Sequence, residues 1–296
     1  MLKVHFAGAE QFTYAQIYRE AGVRYALFTV FNFICADFGI KGTPQQPRVD
    51  HIFPPAFVES RFRHSIMDSG LFTLMFGAHA GKRDRRFIGA WFERLVDFVR
   101  TNRLKSAIVE VDCQKVLGTA EAWRLRERLR DALPNNRTIN VFHVEDGRKG
   151  LDRLIEFSEY LAISVPELRI CRPKTFAQDV ERLARYVKTR KPEIDLHLLG
   201  CTQKNILRSC RDLATSADST SHQSATRYGQ CLGRRTNSLK PSERARLVRE
   251  SRSFLERLER EFRRPVSPNF KRWVVEALLA TRLHKRLYES LAGNQE

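Results

Sequence analysis

The chain has 296 residues, 42% of them apolar, with a formal net charge of +18 and a pI near 10.1. That apolar content excludes a disordered chain, and the length suffices for one large domain or two small ones with a sizeable core. A charge of this sign and size suits a polyanionic partner, since each Lys or Arg set beside a phosphate releases a counterion.

The charge is uneven. Residues 223–296 hold 17 Lys and Arg against 8 Asp and Glu, which is half of the whole excess in a quarter of the chain. Nucleic acid is the expected partner; general solubility and an anionic membrane surface are the other readings of the same charge. No span of a membrane is expected, because the most apolar run, Tyr25–Cys35, is too short and is interrupted by Thr29 and Asn32. The N-terminus lacks a basic stretch ahead of an apolar one, so a cytoplasmic protein is expected. Cys35, Cys113, Cys171, Cys201, Cys210 and Cys231 form no CxxC pair, which predicts reduced, mostly buried thiols with neither disulfide nor zinc.

Taken in order, Leu2–Ala9 reads as a strand and 10–21 as a helix. Tyr25–Ile34 is a second, fully apolar strand. Residues 36–62 carry Gly39, Gly42, Pro44, Pro47, Pro54 and Pro55 and read as a long irregular connection. His64–Met67 runs into Asp68-Ser69-Gly70, and a helix over 86–101 sets Phe87, Trp91, Leu95 and Phe98 on one face. Strands follow at 106–111, 139–144, 161–165, 196–200 and 214–217, with helices at 119–133, 151–160, 176–188 and 205–213 between them. Eight strands, most followed by a helix, predict a parallel (β/α)8 barrel of the TIM type over residues 1–230; a doubly wound open sheet is the alternative.

After a polar linker at 223–238 containing Arg227, Arg234 and Arg235, residues 231–296 read as a basic helical appendage packed on the barrel. Pro241 suits a helix start. Leu247, Ser251, Phe254, Leu258 and Phe262 form one stripe over 242–262, and a last helix over 270–291 buries Trp273, Val274, Ala277, Leu278 and Leu287. These helices contact nucleic acid, or close the outer ring of the barrel, or do both.

Asp68, Asp112 and Asp218 each directly follow an expected strand, and His143 lies at another. In a barrel of this type the C-terminal strand ends converge on one mouth, so acids far apart in sequence share a site there. A single Asp in such a position is also an ordinary cap or turn residue. Around Asp218 the run Ala214–His222 has only small residues before it and hydroxyls and a histidine after it, which lets a ligand approach closely. Paired carboxylates suit glycosidic chemistry: one attacks the anomeric carbon while the other moves a proton. A third accepts from the N1–H and exocyclic amine of guanine.

Met67-Asp68-Ser69-Gly70-Leu71-Phe72 resembles the Asp-Ser-Gly-Gly-Phe-Gln signature of the tRNA-guanine transglycosylases, which are barrel enzymes. Val111-Asp112 resembles that family's base-holding acid, His197-Leu198-Leu199-Gly200 its Leu-Met-Gly strand end, and Ala217-Asp218 its nucleophile. The run 217–221 with Arg227-Tyr228-Gly229 looks closer to the phage and bacterial branch that places 7-deazaguanine bases in DNA. The resemblance covers about residues 1–230. It implies Asp218 as nucleophile, Asp68 as proton-transfer residue, and Asp112, Ser69, Gly70 and Gly200 at the base, with His143 as a candidate partner to the base's carbonyl or exocyclic group.

Departures accompany it. Leu71 and Thr73 stand where the family has its second Gly and its Gln, and Ala162-Ile163-Ser164 is a weaker match to the Gly-Gly platform. Cys201, Cys210 and Cys231 do not reproduce the family's zinc site. The expected partners are DNA, with tRNA as the alternative, and a free 7-deazaguanine base. Arg227, Arg234 and Arg235 are expected on the polymer backbone, with no cofactor. A metal-dependent hydrolase built on the three aspartates and a non-catalytic nucleic-acid binder are the competing classes.

Overall fold

The computed structural model describes residues 2–40, 52–76, 84–223, 228, 230–231, 234–235, 241–263 and 265–293. Eight parallel strands close on themselves as a (β/α)8 barrel: β1 (Lys3–Ala7), β2 (Tyr25–Thr29), β3 (His64–Asp68), β4 (Ala107–Val109), β5 (Thr138–Phe142), β6 (Tyr160–Ser164), β7 (Asp195–Leu199) and β8 (Ser216–Ser219). Closure pairs the first strand with the last, setting His5 opposite Asp218.

The two-residue period of a strand divides each one between two environments. Val4, Phe6, Phe28, Met67, Ile108, Ile163, Leu198 and Ala217 face outward into the core shared with the helices. The alternate residues Ala7, Leu27, Ile66, Val109, Ile139, Val141, Tyr160 and Ala162 form a separate cluster that fills the lumen. Burial on both faces explains why Ala107-Ile108-Val109 is apolar without alternation.

Boundaries differ from the sequence reading where local hydrogen bonds intervene. The apolar run from Tyr25 stops being a strand at Thr29, and Phe31–Ile34 turns into a short helix whose first amide donates to Thr29 Oγ1 at 3.2 Å. The last strand is Ser216–Ser219 rather than 214–217, because the Ala214 amide still bonds back to Cys210 in the turn closing the helix Lys204–Ser209. Asp218 therefore sits inside β8. Part of the 36–62 connection is ordered as the helix Pro55–Arg61, begun by a proline whose missing N–H costs nothing there; 41–51 lie outside the described residues.

Beneath the helix Thr119–Ala132, Arg126 and Glu110 form a buried two-point ion pair, 2.7 Å from Nε and 2.6 Å from Nη2. Asn140 Nδ2 and the Val141 amide complete the Glu110 carboxylate at 2.7 and 2.9 Å. This knot ties β4 to β5 two residues before Asp112.

At the C-terminal end the expected 242–262 helix is two helices, Pro241–Glu250 and Arg252–Phe262, which meet at Ser251. The last helix, Pro268–Leu291, is capped by Ser267 Oγ, which accepts from the Phe270 amide at 3.2 Å. It buries Phe270, Val274, Ala277, Leu278 and Tyr288 and packs on the helices Phe12–Glu20 and Lys204–Ser209. Lying between the helices that follow β7 and β1, it fills the outer-ring position of a helix after β8. No described helix is long and apolar enough to cross a membrane. Cys35, Cys113, Cys201 and Cys210 are buried free thiols; Cys171 is exposed.

Candidate active site

The C-terminal strand ends gather acids from three strands at one mouth. Asp68 is the last residue of β3 and pairs in register with Thr29 at the end of β2. Its Oδ2 accepts from the Gly70 amide at 2.9 Å and from Thr29 Oγ1 at 3.3 Å. Gly70 holds a φ of 75°, and a Cβ there would lie 2.8 Å from Phe31 Cβ, so this turn requires glycine. The neighbouring Ser69 is buried, and its carbonyl is anchored by Trp91 Nε1 at 2.9 Å.

Asp218 is held from the opposite side of the barrel. Its Oδ1 accepts from the Gly200 amide at 2.6 Å and from His197 Nε2 at 3.1 Å. Gly200 has a φ of 63°, and a Cβ there would meet Pro166 Cγ at 2.6 Å. Ser164, at the end of β6 and buried, pairs with Leu199 on the same rim.

Asp112 lies three residues past β4, and His143 Nε2 donates to its Oδ2 at 3.1 Å. The other imidazole nitrogen, Nδ1, is 2.9 Å from Glu167 Oε2, and Lys115 Nζ is 2.9 Å from Glu167 Oε1. Burial by itself would make His143 less basic, but the carboxylates of Asp112 and Glu167 reverse this and push it up to about 10. Glu167 is held well below the usual carboxylate range by the same imidazolium and by Lys115, which outweigh its own burial. Both nitrogens of His143 thus face carboxylates, so its influence on the mouth runs through Asp112 rather than through a ligand's carbonyl.

The other two aspartates act on Asp68. Burial, then the charge of Asp112, and to a lesser degree that of Asp218, push the Asp68 carboxyl up to about 7, with the Gly70 and Thr29 donors opposing. Two carboxyls in one mouth are therefore differently equipped: one readily holds a proton near neutrality, while the other has an oxygen fixed by two donors. Such a split is what separates acid from nucleophile in glycosidic sites. Burial pushes the Cys113 and Cys201 thiols up to about 12, which makes them poor nucleophiles.

Four residues of this neighbourhood escaped the sequence reading. Glu10 is 2% exposed; its Oε1 accepts from Asn32 Nδ2 at 2.9 Å, and its Oε2 from the Thr29 amide at 3.4 Å. Burial, with a smaller push from Asp68, raises it to about 7. Its sequence signal is that Glu10 follows a strand as the three aspartates do, although the same position also suits the start of the first helix. His197 alternates with Leu196 and Leu198 and so faces the lumen, a polar exception in an apolar strand. Glu167 and Lys115 carry no signal of their own, because each is an ordinary charged residue on a short helix.

His143, Glu145 and Glu167 offer atoms within 4.8 Å of one another, a spacing that suits a metal ion. Lys115 Nζ already lies 2.9 Å from Glu167 and 3.6 Å from Glu145 and supplies positive charge there. Arg227 lies outside the described residues. Arg234–Arg235 form a two-stranded antiparallel piece with Gln230–Cys231.

The sequence matches no protein-family model, and no curated protein matches it.

Proposed function

We propose that the chain is a base-exchange transglycosylase that replaces guanine in DNA with a free 7-deazaguanine derivative. The observation that carries this is the division of labour at the mouth, with Asp68 near neutrality and Asp218 steadied on one oxygen. The motifs at 67–72, 111–112, 197–200 and 217–218 that resemble the tRNA-guanine transglycosylases support it.

In the first step Asp218 Oδ2 attacks C1′ of the target nucleotide. The glycosidic bond breaks, its electron pair leaves with guanine, and Asp68 gives guanine a proton. The product is a sugar–Asp218 ester. The incoming base then loses its N9 proton to Asp68 and attacks C1′ as the ester bond returns its electrons to Asp218. Two inversions retain configuration, and one proton passes from incoming to leaving base. Asp112, with Oδ2 on His143, offers its other oxygen to the base's N1–H and exocyclic amine. Ser69, Gly70, Ser164 and Gly200 border the base, and exchange of one glycosidic bond for another requires no cofactor.

Extruding the nucleotide from a duplex costs a few kcal/mol. The +18 charge, with Arg227, Arg234 and Arg235 assigned to the polymer backbone, offsets that cost by counterion release. The test is incorporation of labelled guanine, and of a labelled 7-deazaguanine, into DNA and tRNA side by side. Exchange into DNA that Asp218→Asn abolishes is the expected result. Exchange into tRNA alone moves the reading to the RNA enzyme. Turnover removed by a chelator favours a metal-dependent hydrolase, and binding without turnover that survives loss of Asp68 and Asp218 overturns catalysis altogether.

A further inference from the structure

The lumen below the mouth carries two polar groupings among its apolar side chains: buried His5, whose Nε2 is 2.9 Å from His64 Nδ1, and a line of groups that ends on Asp218. Tyr160 of β6 hydrogen-bonds through its hydroxyl to Ser216 Oγ of β8; Ser216 Oγ is 2.6 Å from His197 Nδ1 of β7; His197 Nε2 is 3.1 Å from Asp218 Oδ1. Strand register puts His197 beside Ser216 and beside Ala162, so three neighbouring strands carry the line. His197 and Ser216 are fully buried. Polar groups in such surroundings are costly unless every one is paired, and here each is. Leu or Ala would fill the space at lower cost, so the polar line is not explained by packing.

Its direction follows from the chemistry of the groups. A carboxylate only accepts, so the imidazole nitrogen facing Asp218 carries the hydrogen. In the neutral ring Nδ1 then accepts from the Ser216 hydroxyl, and Ser216 Oγ accepts from Tyr160. Ser216 and Tyr160 thereby fix the ring's orientation and tautomer, and the ring fixes the carboxylate. The Gly200 amide binds the same oxygen at 2.6 Å. Both donors lie on Oδ1, which leaves Oδ2 to form the bond to carbon.

We propose that His197 is the positioning residue of the Asp218 carboxylate, locked as its Nε2–H tautomer by Ser216 and Tyr160, so that a single carboxylate oxygen is presented to the sugar. This rests on the transglycosylase reading for its catalytic consequence but not for its structural content. His197 touches no substrate; it acts through Asp218. Removing it leaves the carboxylate tethered by one amide, free to turn about its Cβ–Cγ bond, and misorientation of a reacting group is felt in turnover rather than in binding.

The experiment has two independent arms. In the first, His197→Ala, His197→Gln and wild type are compared in exchange on DNA with labelled guanine, together with capture of the covalent DNA–protein adduct. His197→Ala is expected to lose about 100-fold in kcat with KM within threefold, and to accumulate less adduct. His197→Gln, whose Nε2 reproduces the donor, is expected to recover most of the rate. If both variants lower Tm but turn over like wild type, His197 is structural and the proposal falls. In the second arm, 15N spectra of histidine-labelled wild-type protein, assigned by the signal lost in His197→Gln, report the tautomer. A proton on Nε2 is expected; a proton on Nδ1 alone overturns the proposal even if His197→Ala fails to fold. Absence of exchange by wild type sinks the transglycosylase reading, while the spectrum still decides the positioning.

Discussion

The Gly200 amide reaches Asp218 Oδ1 at 2.6 Å only because Gly200 takes a φ of 63° with Pro166 packed where a side chain would be. A left-handed conformation costs an L-residue about 1–2 kcal/mol, and the contact with Pro166 adds to it. Gly200→Ala is therefore expected to lower stability by at least that much and to cut base exchange more than tenfold, read by thermal melting and by label incorporation. Gly118 is the control. It has a φ of 83° with nothing within 4 Å of its would-be Cβ, so Gly118→Ala should lose stability and keep full exchange.

The two carboxyls pushed up to about 7 give the stability a direction in pH. Folded Asp68 and Glu10 keep protons that the unfolded chain releases near pH 4. Their contribution is full below about pH 4 and is lost as the pH rises through 7. Asp68→Asn removes one such group. It should be more stable than wild type at pH 8, by on the order of a few kcal/mol, and nearly matched at pH 4, while losing exchange. Urea titrations at the two pH values check this, and identical differences at both would refute it.

His143 has the same sign at a higher pH. Its imidazolium, raised from 6.5 to about 10 against the effect of burial by Asp112 and Glu167, contributes stability that is complete below about pH 6.5 and lost as the pH climbs to 10. His143→Gln should flatten the alkaline fall in stability. Because Asp112 loses its cationic partner and keeps at most a neutral donor, KM for the free base should rise about tenfold with KM for DNA unchanged. An unchanged alkaline limb in urea unfolding would show that the ring is not held as a cation.

The Glu110–Arg126 pair is buried on both sides, and removing one partner strands a charge. Arg126→Met is expected to cost about 3–5 kcal/mol in chemical denaturation. Adding Glu110→Gln, which still accepts from the Val141 amide, should recover most of the loss. Equal stability of the single and double variants would mean that the charge is not what the knot compensates.

The barrel itself was legible in the sequence. Apolar runs such as 107–109 alternate with helices such as Arg85–Thr101, whose Trp91, Leu95 and Phe98 share one face, and these periods are local properties of the chain. So was the strand-end position of Asp68, marked by the glycine two residues on. Tertiary structure decided the rest. That Asp218 lies within β8, not after it, depends on a backbone bond from Ala214 to Cys210 that no composition rule reports. That the last helix completes the outer ring depends on its contact with a helix some 250 residues earlier. Above all, the proton affinities of Asp68, Glu10 and His143 come from burial and from charges on other strands. Residue type fixes what a side chain is able to do, but its environment is set only when closure of the barrel brings distant strand ends together and excludes water from between them.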